Sequence, residues 1–268
     1  MISLFPRRSI RSQSGFTIVE MMVALSISMV ILLGFAVSFV NMKSTFNSQN
    51  SLLQLQDNER LAMTVLNTSI GEAGYFPNGS NLNASPAVPI QYVARGAVIV
   101  GTSTTNGGAM LPGRFLYGTK ADTTSTPAKP ETLSTAYASM PGDGLLTCQG
   151  STNPSATAVT TLRNTFYVDA TNQTLMCEVT TGDLSGTVVP ATPAQPLISK
   201  VSLMSVMYGL NSSGLPAGNI DRYKATADMA STDWDNVKNV KVTLIFINPN
   251  NAANPISWTQ AINVMNNK

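Results

Sequence analysis

From Met21 to Val40 the chain runs through 20 consecutive uncharged residues, nearly all of them apolar. As a helix at about 1.5 Å per residue, the run measures roughly 30 Å, the thickness of a bilayer's hydrocarbon. A buried core helix is the competing reading, but such helices are rarely this long and this apolar on every side. The run therefore predicts a membrane-spanning segment. Upstream lie Arg7, Arg8 and Arg11 with no acidic residue before Glu20. That asymmetry puts the leader in the cytoplasm and everything after Val40 across the membrane. An ordinary signal peptide fits poorly, because the apolar stretch is too long and Val37-Ser38-Phe39-Val40-Asn41 offers no small-residue cleavage site. The segment is expected to stay attached as an anchor.

The rest of the composition removes whole classes of function. Only 11% of the 268 residues are charged and the net charge is +2, which excludes a nucleic-acid partner on charge alone. There is no histidine. That removes Ser-His-Asp and Cys-His nucleophile systems, histidine general acid–base catalysis and histidine-ligated zinc. No cofactor, metal or small-molecule substrate is indicated. The hydrophobic share of 43% is ample for a packed domain.

Glu20 is the anomaly of the apolar segment. A carboxylate near the middle of a spanning helix costs about 2.5–3.5 kcal/mol, less near the interface, where it can snorkel. Tolerance is not purpose: such a carboxylate asks for a cationic partner, and the segment holds no Lys or Arg. A new amino terminus would serve if the leader were removed.

These residues carry a resemblance. Ser14-Gly15-Phe16-Thr17-Ile18-Val19-Glu20 ahead of an apolar helix resembles the type IV prepilin leader. The resemblance implies that a prepilin peptidase cuts after Gly15, that Phe16 becomes the N-methylated amino terminus, and that Glu20 is the assembly residue. Burial of Glu20 would then be neutralised only when it meets the amine of a neighbouring subunit's Phe16. Major pilins usually carry a proline within this helix. Residues 16–40 have none, and the chain is longer than the usual major pilin, so a minor subunit fits better.

Beyond the membrane, Leu52, Leu55, Glu59, Ala62, Leu66 and Ile70 recur near helical spacing, and no proline occurs from Ile18 to Phe76. The helix should run on to Gly71, where Gly71, Gly74 and Pro77 supply a stop. Residues 77–160 are rich in turn formers, with Gly101–Gly108 and Lys120–Pro130 read as loops. A disordered linker over Thr119–Thr132 is an equal alternative. Phe166-Tyr167-Val168, the turn Asp169–Asn172 and Leu175–Val179 predict a hairpin. Val201–Tyr208 predicts a strand buried on both sides. Val240–Phe246 reads as half-buried, and Ile256–Met265 as a final edge strand. The expected fold is α+β: a long N-terminal helix packed on a β-rich head, pilin-like. Its segments are a leader 1–15, an assembly and membrane helix 16–40, an amphipathic extension 41–76 and a periplasmic head 77–268.

This half narrows the resemblance. Arg163-Asn164-Thr165-Phe166-Tyr167-Val168, Leu175-Met176-Cys177, Val206-Met207-Tyr208-Gly209, Ile220-Asp221-Arg222-Tyr223 and Trp234–Val240 are similar to the PilW type of minor pilin. That implies a non-enzymatic subunit that helps start pilus assembly and stays at or near the tip. Its partners would be other minor pilins, the major pilin, a tip adhesin, the prepilin peptidase and the inner membrane. The head would lie in the periplasm before assembly and at the pilus tip or cell surface afterwards. The alternatives are a minor pseudopilin of a type II secretion system and, further off, a membrane-anchored periplasmic binding module or enzyme.

Cys148 and Cys177 both lie beyond the anchor, in an oxidising compartment, and are expected to form a disulfide, with two buried free thiols as the alternative. Other motifs are weak. Asn211–Asp221 has a single acid, too few for a calcium cage. Asp233-Trp234-Asp235 reads as a solvated turn. Gly107-Gly108 and Gly142-x-Gly144 lack the lysine of a phosphate loop.

Overall fold

A computed structural model describes residues 15–75, 114–126, 128–182, 188–189, 192–212, 219–251 and 253–264. The apolar stretch Ala97–Val100, the Gly101–Gly108 loop and most of the loop between Asn211 and Asp221 lie outside the described residues. The architecture is one long helix and a head of two antiparallel sheets, an α+β fold. It divides into two compact units, Met1–Ser51 and Leu52–Lys268.

Helix α1 runs Ile18–Gly71 without interruption for 54 residues, as the absence of proline permits. In the first unit every described residue is exposed but Ser48 and Ser51, which are half-buried. An 18-residue window of α1 has a mean hydropathy of 2.5 with none of it buried. Its serines satisfy themselves: Ser26, Ser28 and Ser38 donate to the carbonyls of Met22, Leu25 and Gly34 at 2.8, 2.9 and 3.0 Å. That is the arrangement a lipid-facing helix needs, because hydrocarbon supplies no acceptor.

In the second unit α1 buries Leu55, Glu59, Ala62, Met63, Leu66, Ser69 and Ile70, the stripe predicted from the helical spacing. The helix ends in a turn. Gly74 adopts φ +79, and a Cβ there would sit 3.0 Å from the Phe115 ring, so the left-handed turn and the close packing both require glycine.

The first sheet contains β1 (Leu116–Thr119), β2 (Thr132–Ser139), β3 (Thr160–Asp169), β4 (Thr174–Gly182), β5 (Val188–Val189) and β6 (Gln195–Ser199). Its order is β1-β2-β3-β4-β5, with β6 also on β4. The second holds β7 (Val201–Leu210), β8 (Arg222–Ala225), β9 (Val237–Phe246) and β10 (Ile256–Asn263) in the order β10-β9-β7-β8. Where β1 stops pairing with β2, the chain leaving α1 takes over: Gly74 N–H donates to Ala136 O and Ala138 N–H to Tyr75 O, both at 2.9 Å. The helix end is thus stitched to the sheet edge.

The β3–β4 hairpin falls where the sequence placed it. Asp169 builds its turn, accepting from Thr171 N–H at 2.9 Å and from the Asn172 side-chain amide at 2.6 Å. Register then aligns Leu133, Phe166 and Cys177 across β2, β3 and β4. These three join Leu66 and Ile70 of α1 and Val206, Val240 and Val242 of the second sheet in one apolar core. The opposite face of the first sheet is buried yet polar. Ser134 and Thr165 pair at 3.0 Å, and the Arg163 guanidinium, wholly buried, donates to Ser134 at 2.9 Å. Burial pulls that guanidinium down to about 10, partly offset by Glu178.

Three readings need correction. β7 is not buried on both sides: Ser202 and Leu203 are exposed, and Ser205 and Met207 half-buried. Its outward face pairs with Lys241, Thr243 and Ile245 of β9, which are themselves half-buried. Trp234 is no solvated-turn residue; a 3-10 turn, Asp233–Asn236, carries it into the core at 5% exposure. The linker alternative over Thr119–Thr132 gives way over its described residues to a pinched loop closed by Asp122 and Lys129, whose backbones exchange hydrogen bonds at 2.9 and 2.8 Å.

Candidate functional site

The residues that the leader motif singles out meet at the first turn of α1. Thr17 precedes the helix, and its hydroxyl accepts from Glu20 N–H at 3.3 Å. Thr17-Ile18-Val19-Glu20 is a capping-box sequence, with the acid in the turn where the helix dipole favours negative charge. Thr17 is the local residue that the sequence reading passed over, although the Thr-x-x-Glu spacing was there to be seen. The Glu20 carboxylate makes no ion pair among the described residues. Phe16 is 85% exposed. A Cβ added at Gly15 would meet nothing within 4 Å. Among the described residues, therefore, nothing demands glycine at 15.

The head holds its titratable groups differently. Cys148 and Cys177 are joined by a disulfide with their Cα atoms 6.2 Å apart. It fastens the turn Thr147–Ser151 to β4, and the neighbouring Gln149 donates to the carbonyls of Cys177 and Pro193 at 3.0 and 3.1 Å. Asn164 of β3 links this turn to the helix, accepting from Cys148 N–H at 3.1 Å and reaching Ser69 at 3.5 Å. Four aspartates shape turns. Asp122, Asp169 and Asp221 are held below the usual range by hydrogen bonds from Thr124, Asn172 and Ser212 respectively. Asp233 is held down by Lys224, whose ammonium lies 2.6 Å away. Among the described residues no three His, Cys, Asp or Glu side chains come together as a metal set.

Three glutamates are pushed the other way. Burial raises Glu59 and Glu131, and it raises Glu72, with help from Asp143, up to about 7. One Glu72 carboxylate oxygen is buried with no hydrogen-bond partner among the described residues. A carboxyl whose folded pKa exceeds its unfolded value binds its proton more tightly in the folded chain. Glu72 therefore contributes stability that is complete below about 4.5 and lost as pH rises through about 7. Discounted for its partial exposure, the contribution is roughly 1–2 kcal/mol. Thermal melts should show the protein less stable at about pH 8 than at about pH 5, with Glu72→Gln flattening the slope. An unchanged slope in that variant would contradict the assignment.

Two family models match the chain. That of the prokaryotic N-terminal methylation motif matches residues 10–36, the leader and the first part of α1. That of the type IV pilus-assembly protein W matches residues 165–266, from β3 through β10. No curated protein and no solved structure matches.

Proposed function

We propose that this chain is a minor pilin of the PilW type, a non-enzymatic subunit that helps to initiate pilus assembly and remains at or near the tip. The observation that carries the reading is Glu20: an acid in the capped first turn of an apolar helix, with no ion-pair partner among the described residues. Cleavage between Gly15 and Phe16 creates the missing cation, and N-methylation of Phe16 keeps it charged. The leader is then residues 1–15, the membrane and assembly helix 16–40, its extension 41–76 and the periplasmic head 77–268. An unpaired Glu20 in lipid is costly, and meeting a neighbouring subunit's Phe16 amine offsets the cost only on assembly. Ala24, Ser26, Ser28 and Gly34 permit close approach of neighbouring helices. A Cβ at Gly34 meets nothing within 4 Å, so that glycine too leaves room for a partner. The partners in this reading are other minor pilins, the major pilin, a tip adhesin and the prepilin peptidase.

Intact-mass measurement of membrane-extracted protein should give a chain beginning at N-methyl-Phe16. A bulky residue at Gly15 should leave the full-length precursor, and Glu20→Ala should be processed yet poorly recruited into pili. A retained leader, or a cut near Asn41, would sink the proposal. A clean deletion that spares piliation but abolishes type II secretion would reassign the subunit to a pseudopilus.

A further inference from the structure

Sheet edges invite other strands, and this head protects its edges unequally. β1 and β8 are only four residues each. Lys120 follows the first, while Arg222 and Lys224 lie within the second. Short, charged edges are how sheets normally discourage partners. β10 is eight residues long, ISWTQAIN, with no charge and no proline, and its register with β9 is unbroken by a bulge.

The backbone phase follows from one bond. Val264 N–H donates to Lys238 O at 3.0 Å. In an antiparallel pair, hydrogen-bonded positions alternate, so Ile256, Trp258, Gln260 and Ile262 exchange bonds with β9. Ser257, Thr259, Ala261 and Asn263 then aim their N–H and C=O groups away from the sheet. No described residue bonds to them through the backbone. Side chains alternate likewise. Trp258 stands in the row of Leu244 and Met204 on the core-facing side, yet it is 44% exposed, whereas its two neighbours are buried. The apolar layer of the second sheet stops at an uncovered indole.

We propose that β10 is a docking edge for a second copy of this chain, paired antiparallel about a twofold axis at Gln260. The strand is complementary to itself in that register. On the core-facing side, Trp258 meets Ile262 of the other copy, an aromatic–β-branched pair that covers the indole, and Gln260 meets its own counterpart, amide to amide. On the outward side, Ser257 meets Asn263 and Thr259 meets Ala261. The outward backbone groups of the four odd-numbered residues fall opposite one another. Charge matters most for a twofold contact, because identical strands bring like charges together; β10 has none. Strand pairing alone buries less than the roughly 1,200 Å² of a stable free interface. Anchoring both copies in one membrane raises their effective concentration and makes up for the small area. The inference needs the head and the anchor, not the tip role.

The test uses the full-length chain in its own membrane. Gln260 would form a non-hydrogen-bonded pair with itself, with Cα atoms about 4.5 Å apart, within the range of about 4.4–6.8 Å that a disulfide spans. Gln260→Cys should therefore give, under mild oxidation, a non-reduced species of twice the monomer mass. Leu203→Cys, exposed on β7 away from the edge, should not. Adding Ala261→Pro to Gln260→Cys removes an outward N–H while leaving the β9 hydrogen bonds in place. A protease-resistant head should remain, and the cross-link should fall about tenfold or more. The proposal is overturned by self-cross-linking no greater than that of Leu203→Cys, or by a cross-link indifferent to Ala261→Pro. It is equally overturned by an adduct of another mass, which would give the edge to a different subunit.

Discussion

Replacing Cys148 and Cys177 together by alanine should destabilise the head by about 3–4 kcal/mol. The bond closes a loop of 29 residues, for which chain entropy in the unfolded state gives about 3.6 kcal/mol. The native contacts point the same way. Cys177 is wholly buried in the apolar core, between the strands that carry Phe166 and Ile198. Among the described residues, the disulfide, Gln149 and Asn164 hold the turn at Thr147–Ser151 on β4 and β3. Alanine avoids leaving a polar hydroxyl without a partner in that core, so the measured loss isolates the cross-link and a small cavity. Urea unfolding followed by tryptophan fluorescence supplies the number. The parent chain unfolded in excess reductant should lose the same amount, and a difference below about 1 kcal/mol between oxidised and reduced protein would refute the estimate.

What could be read from the sequence divides along physical lines. The long helix was legible over its whole length because two signals agree: an apolar run set by lipid, then a helical stripe set by the core. The β3–β4 hairpin was legible because Asp169 and Asn172 build the turn locally and strong strand formers flank it. β2 was not. Thr132–Ser139 is made of small and hydroxylic residues around Leu133 and Tyr137, so neither alternation nor propensity marks it, although all eight positions are buried. Its place is fixed by partners distant in sequence, β3 on one side and Phe115, Gly74 and Tyr75 on the other. β7 looked buried on both sides because Leu203 and Met207 are apolar, and exposed apolar residues on an open sheet face carry no local signature. Gly15, Phe16 and Glu20 were singled out by motif, whereas the cap residue Thr17 could have been read from capping chemistry alone. Trp234 was misread for a related reason. Asp233 and Asp235 beside it look like a solvated turn, and only the tertiary structure reveals that Asp235 faces outward, Asp233 folds back onto Ala230 and Lys224, and the indole turns in.

Trp234→Ala should cost about 3–5 kcal/mol, the range for deleting a large buried aromatic. The indole sits between the sheets, 5.0 Å from Tyr117 of β1 and 4.8 Å, edge to face, from Tyr208 of β7. Tyr208 is itself fully buried and packs so closely on β1 that a Cβ at Gly118 would lie 2.3 Å from its hydroxyl. Thr226 adds a polar tie at this seam by donating to Glu131. Asp233 holds the 3-10 turn in place by accepting from Ala230 N–H at 2.8 Å and from Lys224, so the turn should persist when the ring is gone and the cavity should stay open. Trp234→Phe should recover much of the loss, because a smaller ring can still reach both tyrosines. Trp258, on the far edge of the second sheet, remains as the fluorescent reporter in either variant. Because the ring joins the two sheets, its loss should also lower the cooperativity of urea unfolding, seen as a reduced slope at the midpoint. A Trp234→Ala protein with the parent midpoint and slope would mean that the sheets are held together by contacts other than this aromatic cluster.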